Sequence, residues 1–159
     1  MSETVLDRSW SIMRATYGVV PIISGADKFT NLLADWKQYL SPLATRIVPV
    51  SPSTFMKAVG VIEIVAGALV LNRRSTRFGA YLVGGWLAGI ALNLVTTRKY
   101  LDIAVRDLVI GIGAITLARL TRARAELQRS QVTGEVRERE RVVPEVQIRQ
   151  GTPEIAPPF

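Results

Sequence analysis

The chain has 159 residues, a net charge of +7 at pH 7 and 48% hydrophobic residues, and it contains neither cysteine nor histidine. Disulfides, thiol chemistry and iron–sulfur ligation are therefore excluded for this chain, and the commonest ligand of haem and transition metals is missing. We accordingly expect no metal-bound or covalently attached cofactor. The charges are clustered between long apolar stretches, which is typical of an integral membrane protein.

The excess of positive charge has two interpretations. Basic loops can hold a membrane protein against an anionic leaflet, or a basic surface can bind nucleic acid. No nucleic-acid-binding motif accompanies the charge, and the aromatic residues are not interleaved with it as a base-stacking surface requires. We therefore predict membrane lipid as a partner and no nucleic acid.

Residues 1–9 are polar and acidic and precede the first apolar stretch. They lack the basic region, the short apolar core and the cleavage site of a removable signal peptide. We expect the first apolar stretch to remain as a membrane anchor, with residues 1–9 as an N-terminal cytoplasmic segment.

Four apolar windows approach the length of about 20 residues with which a helix crosses a bilayer. They cover residues 10–29, 54–71, 78–97 and 103–120. They predict an all-α integral membrane four-helix bundle over residues 10–120. Every window is rich in glycine, and because small residues let helices approach closely in lipid, we predict that all of these glycines lie at helix contacts. They are Gly18, Gly25, Gly60, Gly67, Gly79, Gly84, Gly85, Gly89, Gly111 and Gly113.

The connection between the first two windows, residues 30–53, contains apolar residues at helical spacing. These are Leu32, Leu33, Trp36, Tyr39, Leu40 and Leu43. They predict one short amphipathic helix in the lipid headgroup region, with Trp36 and Tyr39 as interface anchors. We expect this helix to end where Pro42, Pro49 and Pro52 accompany the return of the chain into the membrane.

Residues 121–159 form a basic tail that we assign to the cytoplasm. Residues 121–130 could continue the last helix. From Gln131 onward, alternating Glu and Arg give way to several prolines, and this composition predicts a largely extended or disordered chain. The alternation over residues 135–143 leaves open a strand that pairs with a partner, although we prefer a solvated linker.

The orientation is predicted from two groups of arginines. Three arginines lie between the second and third windows, and four lie at or after the end of the last window: Arg73, Arg74, Arg77, Arg119, Arg122, Arg124 and Arg129. Because loops rich in Lys and Arg stay on the cytoplasmic side, we predict a multi-pass protein of the cell membrane with both termini in the cytoplasm.

A carboxylate lies near the middle of the second window. An ionisable group there costs about 3 kcal/mol on insertion scales, so it requires a partner. Glu63 shares a helix face with Met56, Gly60 and Gly67, which directs it into the bundle. The polar residues that we expect to gather in the same half of the bundle are Glu63, Arg106, Asp107, Asn93, Lys57 and Lys28.

This predicted cluster has two interpretations, and we assign no catalytic or metal-binding residue in either. The first is a network of ion pairs and hydrogen bonds that fixes the register of the helices. The second is a small polar pocket that contacts a quinone headgroup or forms part of a proton path, because a carboxylate and a guanidinium near the middle of the membrane can bond a carbonyl or relay a proton.

Three segments of the sequence carry a family resemblance. Residues 18–29, GVVPIISGADKF, end in a G-x-x-K-F pattern; residues 60–67, GVIEIVAG, place a glutamate before a glycine; and Arg106-Asp107-Leu108 lies in the last window. Over residues 10–120 this pattern resembles the DoxX-like membrane proteins. The resemblance implies a four-helix membrane bundle and an association with terminal quinol oxidase, thiosulfate:quinone oxidoreductase or oxidative-stress complexes. It makes quinone the possible cofactor.

Three functions are compatible with these patterns. The leading hypothesis is a membrane subunit of a quinone-linked oxidoreductase or electron-transfer complex, which is structural or quinone-contacting rather than catalytic, with the other membrane subunits as partners. The second is a small proton-coupled transporter that uses Glu63. The third is a membrane assembly factor or scaffold that docks through its tail.

Overall fold

The structure, a computed structural model, describes residues 3–150, and their side chains except at 3, 4, 45 and 142–150. Every regular element in this range is helical, so the all-α prediction is confirmed. The elements are α1 (Glu3–Thr30), a 3₁₀ turn (Trp36–Tyr39), α2 (Pro42–Ile47), α3 (Pro52–Leu71), α4 (Thr76–Thr97) and α5 (Leu101–Gln150). The described residues divide into two units, residues 3–122 and residues 123–150, with the boundary inside the sequence of α5.

Helices α1 and α3 run antiparallel and touch through their backbones at two pairs of glycines. Gly18 lies against Gly67, and Gly25 lies against Gly60. A Cβ added to Gly60 would lie 2.6 Å from the Gly25 carbonyl oxygen, and one added to Gly25 would lie 2.5 Å from the Gly60 carbonyl oxygen. Only glycine permits this approach, because a Cβ on either residue would overlap the neighbouring backbone.

The predicted helix contacts are confirmed for most of the other glycines. Gly79 of α4 lies against the backbone of α3, Gly84 of α4 faces Gly111 of α5, and Gly113 lies against the Tyr17 ring. Gly85 and Gly89 are the exceptions, and the prediction is wrong for them: an added Cβ would meet nothing within 4 Å. Successive helical residues are rotated by about 100°, so when Gly84 faces α5 the residue after it points away.

The interior of residues 3–122 is built from small residues, and the exterior presents large ones. A core of alanine and a few larger apolar residues lies where α1, α3, α4 and α5 meet: Trp10, Ala66, Val70, Ala80, Val83, Ala114, Leu117 and Ala118. Large aliphatic side chains are exposed along all four helices, for example Ile12, Val20, Ile23, Val61, Val65, Leu92, Val95, Val105, Val109 and Ile112. Soluble proteins rarely expose so many large apolar residues, whereas a lipid-facing surface requires them.

Two of the helices, α3 and α4, are long and apolar enough to cross a membrane. Charged residues interrupt the apolar stretches of α1 and α5, namely Arg14, Asp27, Lys28, Arg106, Asp107 and Arg119. A crossing by α1 or by α5 therefore stays a prediction.

The segment between α1 and α3 differs from the single amphipathic helix that we predicted. It forms the 3₁₀ turn and then α2, so Pro42 begins a helix rather than ending one. The reason is local, because proline suits the first position of a helix and Ser41 supplies an N-cap. The Ser41 hydroxyl accepts hydrogen bonds from the backbone N–H groups of Leu43 (3.0 Å) and Ala44 (3.4 Å).

Both ends of the described chain are more helical than we predicted. Helix α1 begins at Glu3, within the predicted N-terminal segment, and α5 continues to Gln150. The extended chain that we expected from Gln131 differs from the structure, which is helical up to Gln150, and a strand over residues 135–143 that pairs with a partner is not tested. Arg, Glu and Gln are good helix formers, and Glu135 precedes Arg139 at the favourable i,i+4 spacing. Residues 151–159 of the predicted tail lie outside the described residues.

Candidate functional site

A buried ion pair joins α1 to α3. The Lys28 Nζ lies 2.6 Å from the Glu63 Oε2, and the two side chains are only 4% and 8% exposed. The glycine crossing positions them: a Cβ on Gly60 would lie 3.1 Å from the Lys28 Cβ, and one on Gly25 would lie 3.1 Å from the Glu63 Cβ. Each glycine thus makes room for the charged side chain of the opposite helix.

An aromatic ring covers the lysine of this pair. The Lys28 Nζ lies 3.7 Å from the centroid of the Trp36 ring, in the geometry of a cation–π interaction. The same ammonium group donates a weaker hydrogen bond to the Ser24 carbonyl oxygen at 3.4 Å. Lys28 is therefore enclosed by an anion, a carbonyl and an aromatic face, which together compensate for the removal of its charge from water.

Asp27 positions Trp36 by folding the chain after α1 back over the pair. Its carboxylate accepts hydrogen bonds from the Trp36 Nε1 (2.7 Å) and from the backbone N–H groups of Leu32 (2.8 Å) and Leu33 (3.1 Å). We predicted Trp36 only as an interface anchor and gave Asp27 no role. A signal was present, because the helix dipole disfavours a carboxylate in the last turn of a helix unless donors surround it.

Asn93, which we predicted to join the polar cluster, holds the connection between α1 and α3 instead. Its Nδ2 donates to the Tyr39 carbonyl oxygen (2.8 Å), and its Oδ1 accepts from the Ser41 backbone N–H (3.2 Å). The Tyr39 ring also packs edge-on against Tyr100, with centroids 4.9 Å apart. The segment that carries Trp36 is therefore fastened at one end by Asp27 and at the other by Asn93.

The remaining members of the predicted cluster divide into one that approaches the pair and two that point away. Asp107 is 13% exposed and lies within electrostatic reach of both Lys28 and Glu63. Arg106 is 66% exposed, and its Nε lies 3.8 Å from the Asp107 Oδ1, so it forms a loose pair directed outward. Lys57 is exposed. The structure thus brings Lys28 and Glu63 into contact and leaves Asp107 within range of their charges only.

A tryptophan of α4 completes this group. The Trp86 Nε1 is buried and directed at the Glu63 carboxylate, although the contact between them falls outside strict hydrogen-bond geometry. A buried N–H with an imperfect acceptor gains from a better placed one, which a ligand could supply. We refer to Lys28, Trp36, Glu63, Trp86 and Asp107 as the Lys28–Glu63 site.

The side chains of the Lys28–Glu63 site support only a few kinds of chemistry. It offers one ammonium group, two carboxylates and one indole N–H, which can hold a proton or bond a carbonyl oxygen. Within the residues that the structure describes, no group of three or more His, Cys, Asp or Glu side chains could hold a metal ion.

A model of the DoxX family matches residues 9–96, more than half of the chain. The chain belongs to the DoxX family. The matched DoxX region includes Lys28, Glu63 and Trp86, whereas Asp107 lies beyond it. None of the curated proteins and none of the solved structures matches the chain. Membership of the DoxX family, together with the two long apolar helices, indicates a membrane protein.

Proposed function

We propose that the chain is a multi-pass membrane subunit of a quinone-linked oxidoreductase or electron-transfer complex, structural or quinone-contacting rather than catalytic. The observation that carries the proposal is the enclosed Lys28–Glu63 pair beside the buried Trp86 N–H, whose contact with Glu63 lies outside strict hydrogen-bond geometry. The association with a quinone-linked complex comes from the family resemblance.

The four-span arrangement has physical support in the distribution of residue sizes. Large aliphatic side chains face outward on α1, α3, α4 and α5, and small residues fill the contacts between these helices. This is the reverse of a soluble core and suits helices surrounded by lipid. We propose that all four helices cross the membrane, with both termini on the cytoplasmic side.

The structural part of the proposal depends on the cost of separating the pair. A lone charge in a membrane helix is expensive, whereas an ion pair with additional bonds can be tolerated. The Lys28–Glu63 pair is satisfied only when α1 and α3 keep one register. The pair therefore selects a single packing of these helices, on which a partner subunit could rely.

The quinone part of the proposal depends on the donors in the site. A quinone carbonyl oxygen is an acceptor without a charge, so it could take the Trp86 N–H without leaving a buried anion behind. Lys28 is a second donor in the same site. Entry of a ring requires Trp36 to move, because it covers Lys28.

Co-purification of the full chain in mild detergent tests the proposed complex. We expect larger redox subunits to accompany the wild-type chain, and recovery of the chain alone would contradict the proposal.

Extraction of quinone from the purified assembly tests the quinone contact. Trp86→Phe should lower the retained quinone by about fivefold to tenfold, as expected for one lost hydrogen bond. Trp10→Phe is the control, because it removes an indole N–H that bonds Thr121 instead.

A small proton-coupled transporter is a second candidate, and the position of Asp107 favours it. Glu63 contacts Lys28 and is only 8% exposed, Asp107 is 13% exposed, and carboxylates with so little exposure can take up and release a proton. Flux into proteoliposomes distinguishes this candidate. Transport that is lost in Glu63→Gln would support it, and a wild-type chain that transports nothing would remove it.

A further inference from the structure

One end of residues 3–122 gathers arginines from α1, α4, α5 and the turn between α3 and α4. The Trp10 Nε1 donates to the Thr121 hydroxyl at 2.9 Å, and the Arg14 Nη1 donates to the Leu71 carbonyl oxygen at 2.7 Å. These two bonds place the start of α1, the end of α3 and the middle of α5 side by side. The arginines next to these contacts, which we call the arginine end, are Arg14, Arg73, Arg74, Arg77 and Arg119.

Arginines outnumber acids at the arginine end, to which the start of α1 also brings Asp7. Arg73, Arg74, Arg77 and Arg119 are exposed, and none of them forms an ion pair among the described residues. The sequence places no Asp or Glu in residues 64–101 or 108–125. The guanidinium groups therefore create a concentrated positive potential at this end.

Arg14 adds a fixed charge beneath these exposed side chains. Its Cζ lies 4.8 Å from the centroid of the Trp10 ring, and its Nε is buried without an acceptor among the described residues. Its described hydrogen bond goes to a neutral carbonyl, and no carboxylate among the described residues pairs with it. That charge strengthens the potential that an anion meets at the surface.

We infer that the arginine end binds the phosphate group of an anionic membrane lipid. Arginine suits this ligand because its planar guanidinium pairs with phosphate oxygens through two hydrogen bonds. The helices that carry these arginines also expose large apolar side chains in the adjoining turns, since Phe78 of α4 is 64% exposed and Ile12 of α1 is 67% exposed. A phosphate with acyl chains fits both features, whereas a soluble phosphate would use only the arginines.

This inference rests on the membrane part of the proposed function and is independent of the oxidoreductase complex. Native mass spectrometry of the full chain in mild detergent, titrated with phosphatidylglycerol or with phosphatidylcholine of the same chain length, provides the test. We expect the wild-type chain to retain phosphatidylglycerol at least about tenfold better, as several arginines near one phosphate predict.

Two triple variants locate the binding. In R73Q/R74Q/R77Q the preference for phosphatidylglycerol should fall by about tenfold or more. In the control K57Q/R98Q/K99Q, which removes three exposed basic residues outside the arginine end, it should persist. Far-UV circular dichroism and thermal unfolding establish that both variants are folded.

Three results would overturn the inference: equal retention of the two lipids, equal loss in both variants, or displacement of the lipid by an excess of inorganic phosphate. A chain that stays monodisperse without detergent would instead remove the membrane part of the proposed function. Failure of the inference and failure of its premise are thus separate outcomes.

Discussion

Lys28 and Glu63 meet where α1 and α3 touch through glycine, and each charged residue lies opposite a glycine of the other helix. The glycines let the helix axes approach, and the short distance lets the Nζ reach the carboxylate at 2.6 Å. At this crossing, the close packing of the helices and the pairing of the two charges therefore depend on each other. Displacing either helix by a turn would bury two unpaired charges.

Breaking this pair should destabilise the protein strongly. In Glu63→Leu the Lys28 ammonium stays buried without its anion, and we expect a loss of about 3–5 kcal/mol in the free energy of unfolding. The double variant Lys28→Met/Glu63→Leu should recover most of that loss, because no charge is then left unpaired. Unfolding in detergent measures both effects. Lys57→Gln, which alters an exposed lysine, is the control, and an equal loss in all three variants would contradict the pairing.

The glycines should differ in their tolerance of alanine. Gly60→Ala places a Cβ 2.6 Å from the Gly25 carbonyl oxygen, so we expect the helices to separate at a cost of about 1–3 kcal/mol. Gly85→Ala and Gly89→Ala add a methyl group to open space and should be neutral or slightly stabilising. The melting temperatures of the three variants test this ranking. A melting temperature of Gly60→Ala equal to that of the wild-type chain would contradict the close approach of α1 and α3 at this glycine.

Trp36 should become mobile when Asp27 is removed. In a Trp10→Phe/Trp86→Phe background Trp36 is the sole tryptophan, since the chain has 3. Asp27→Ala removes the acceptor that holds its indole, so we expect red-shifted emission and faster quenching by acrylamide. Asp35→Ala is the matched control, because that carboxylate bonds only the Lys37 backbone N–H among the described contacts. Unchanged emission in Asp27→Ala would show that Trp36 is held by other means.

The distal part of α5 should respond to its glycine. An added Cβ on Gly134 meets nothing within 4 Å, so Gly134→Ala should slow amide hydrogen exchange around it, and Gly134→Pro should speed exchange on its N-terminal side. Mass spectrometry of peptides from residues 123–141 of the full chain measures the exchange. Complete exchange in the earliest sample of the wild-type chain would contradict the helix.

Much of the fold could be predicted from the sequence, because apolar length and the absence of strand patterns indicate helices. The burial of Glu63 followed from the small residues on its face, and the structure buries it. Its partner could not be chosen in advance. Lys28, Lys57 and Arg106 all lie at a suitable depth, and only the rotation of each helix about its axis decides which one points inward.

The errors arose where local bonds override composition. The hydrogen bonds of Asp27 and Asn93 fix the connection between α1 and α3, and Asn93 is distant from that connection in sequence. The sequence alone allows Pro42 to end one helix or to begin another, and the N-cap formed by Ser41 shows that it begins one. For residues 131–150, charge and proline content suggested an extended chain, whereas the helix propensity of Glu, Arg and Gln favoured α5.

Labelling of single cysteines in intact cells tests the membrane arrangement around the Lys28–Glu63 pair most directly, because the native chain has no cysteine. A membrane-impermeant maleimide should label Lys37→Cys and Lys99→Cys from outside, and should label Ser75→Cys and Ser130→Cys only after permeabilisation. Equal labelling of Lys37→Cys and Ser75→Cys in intact cells would contradict the account, since α3 would then not cross the membrane between them.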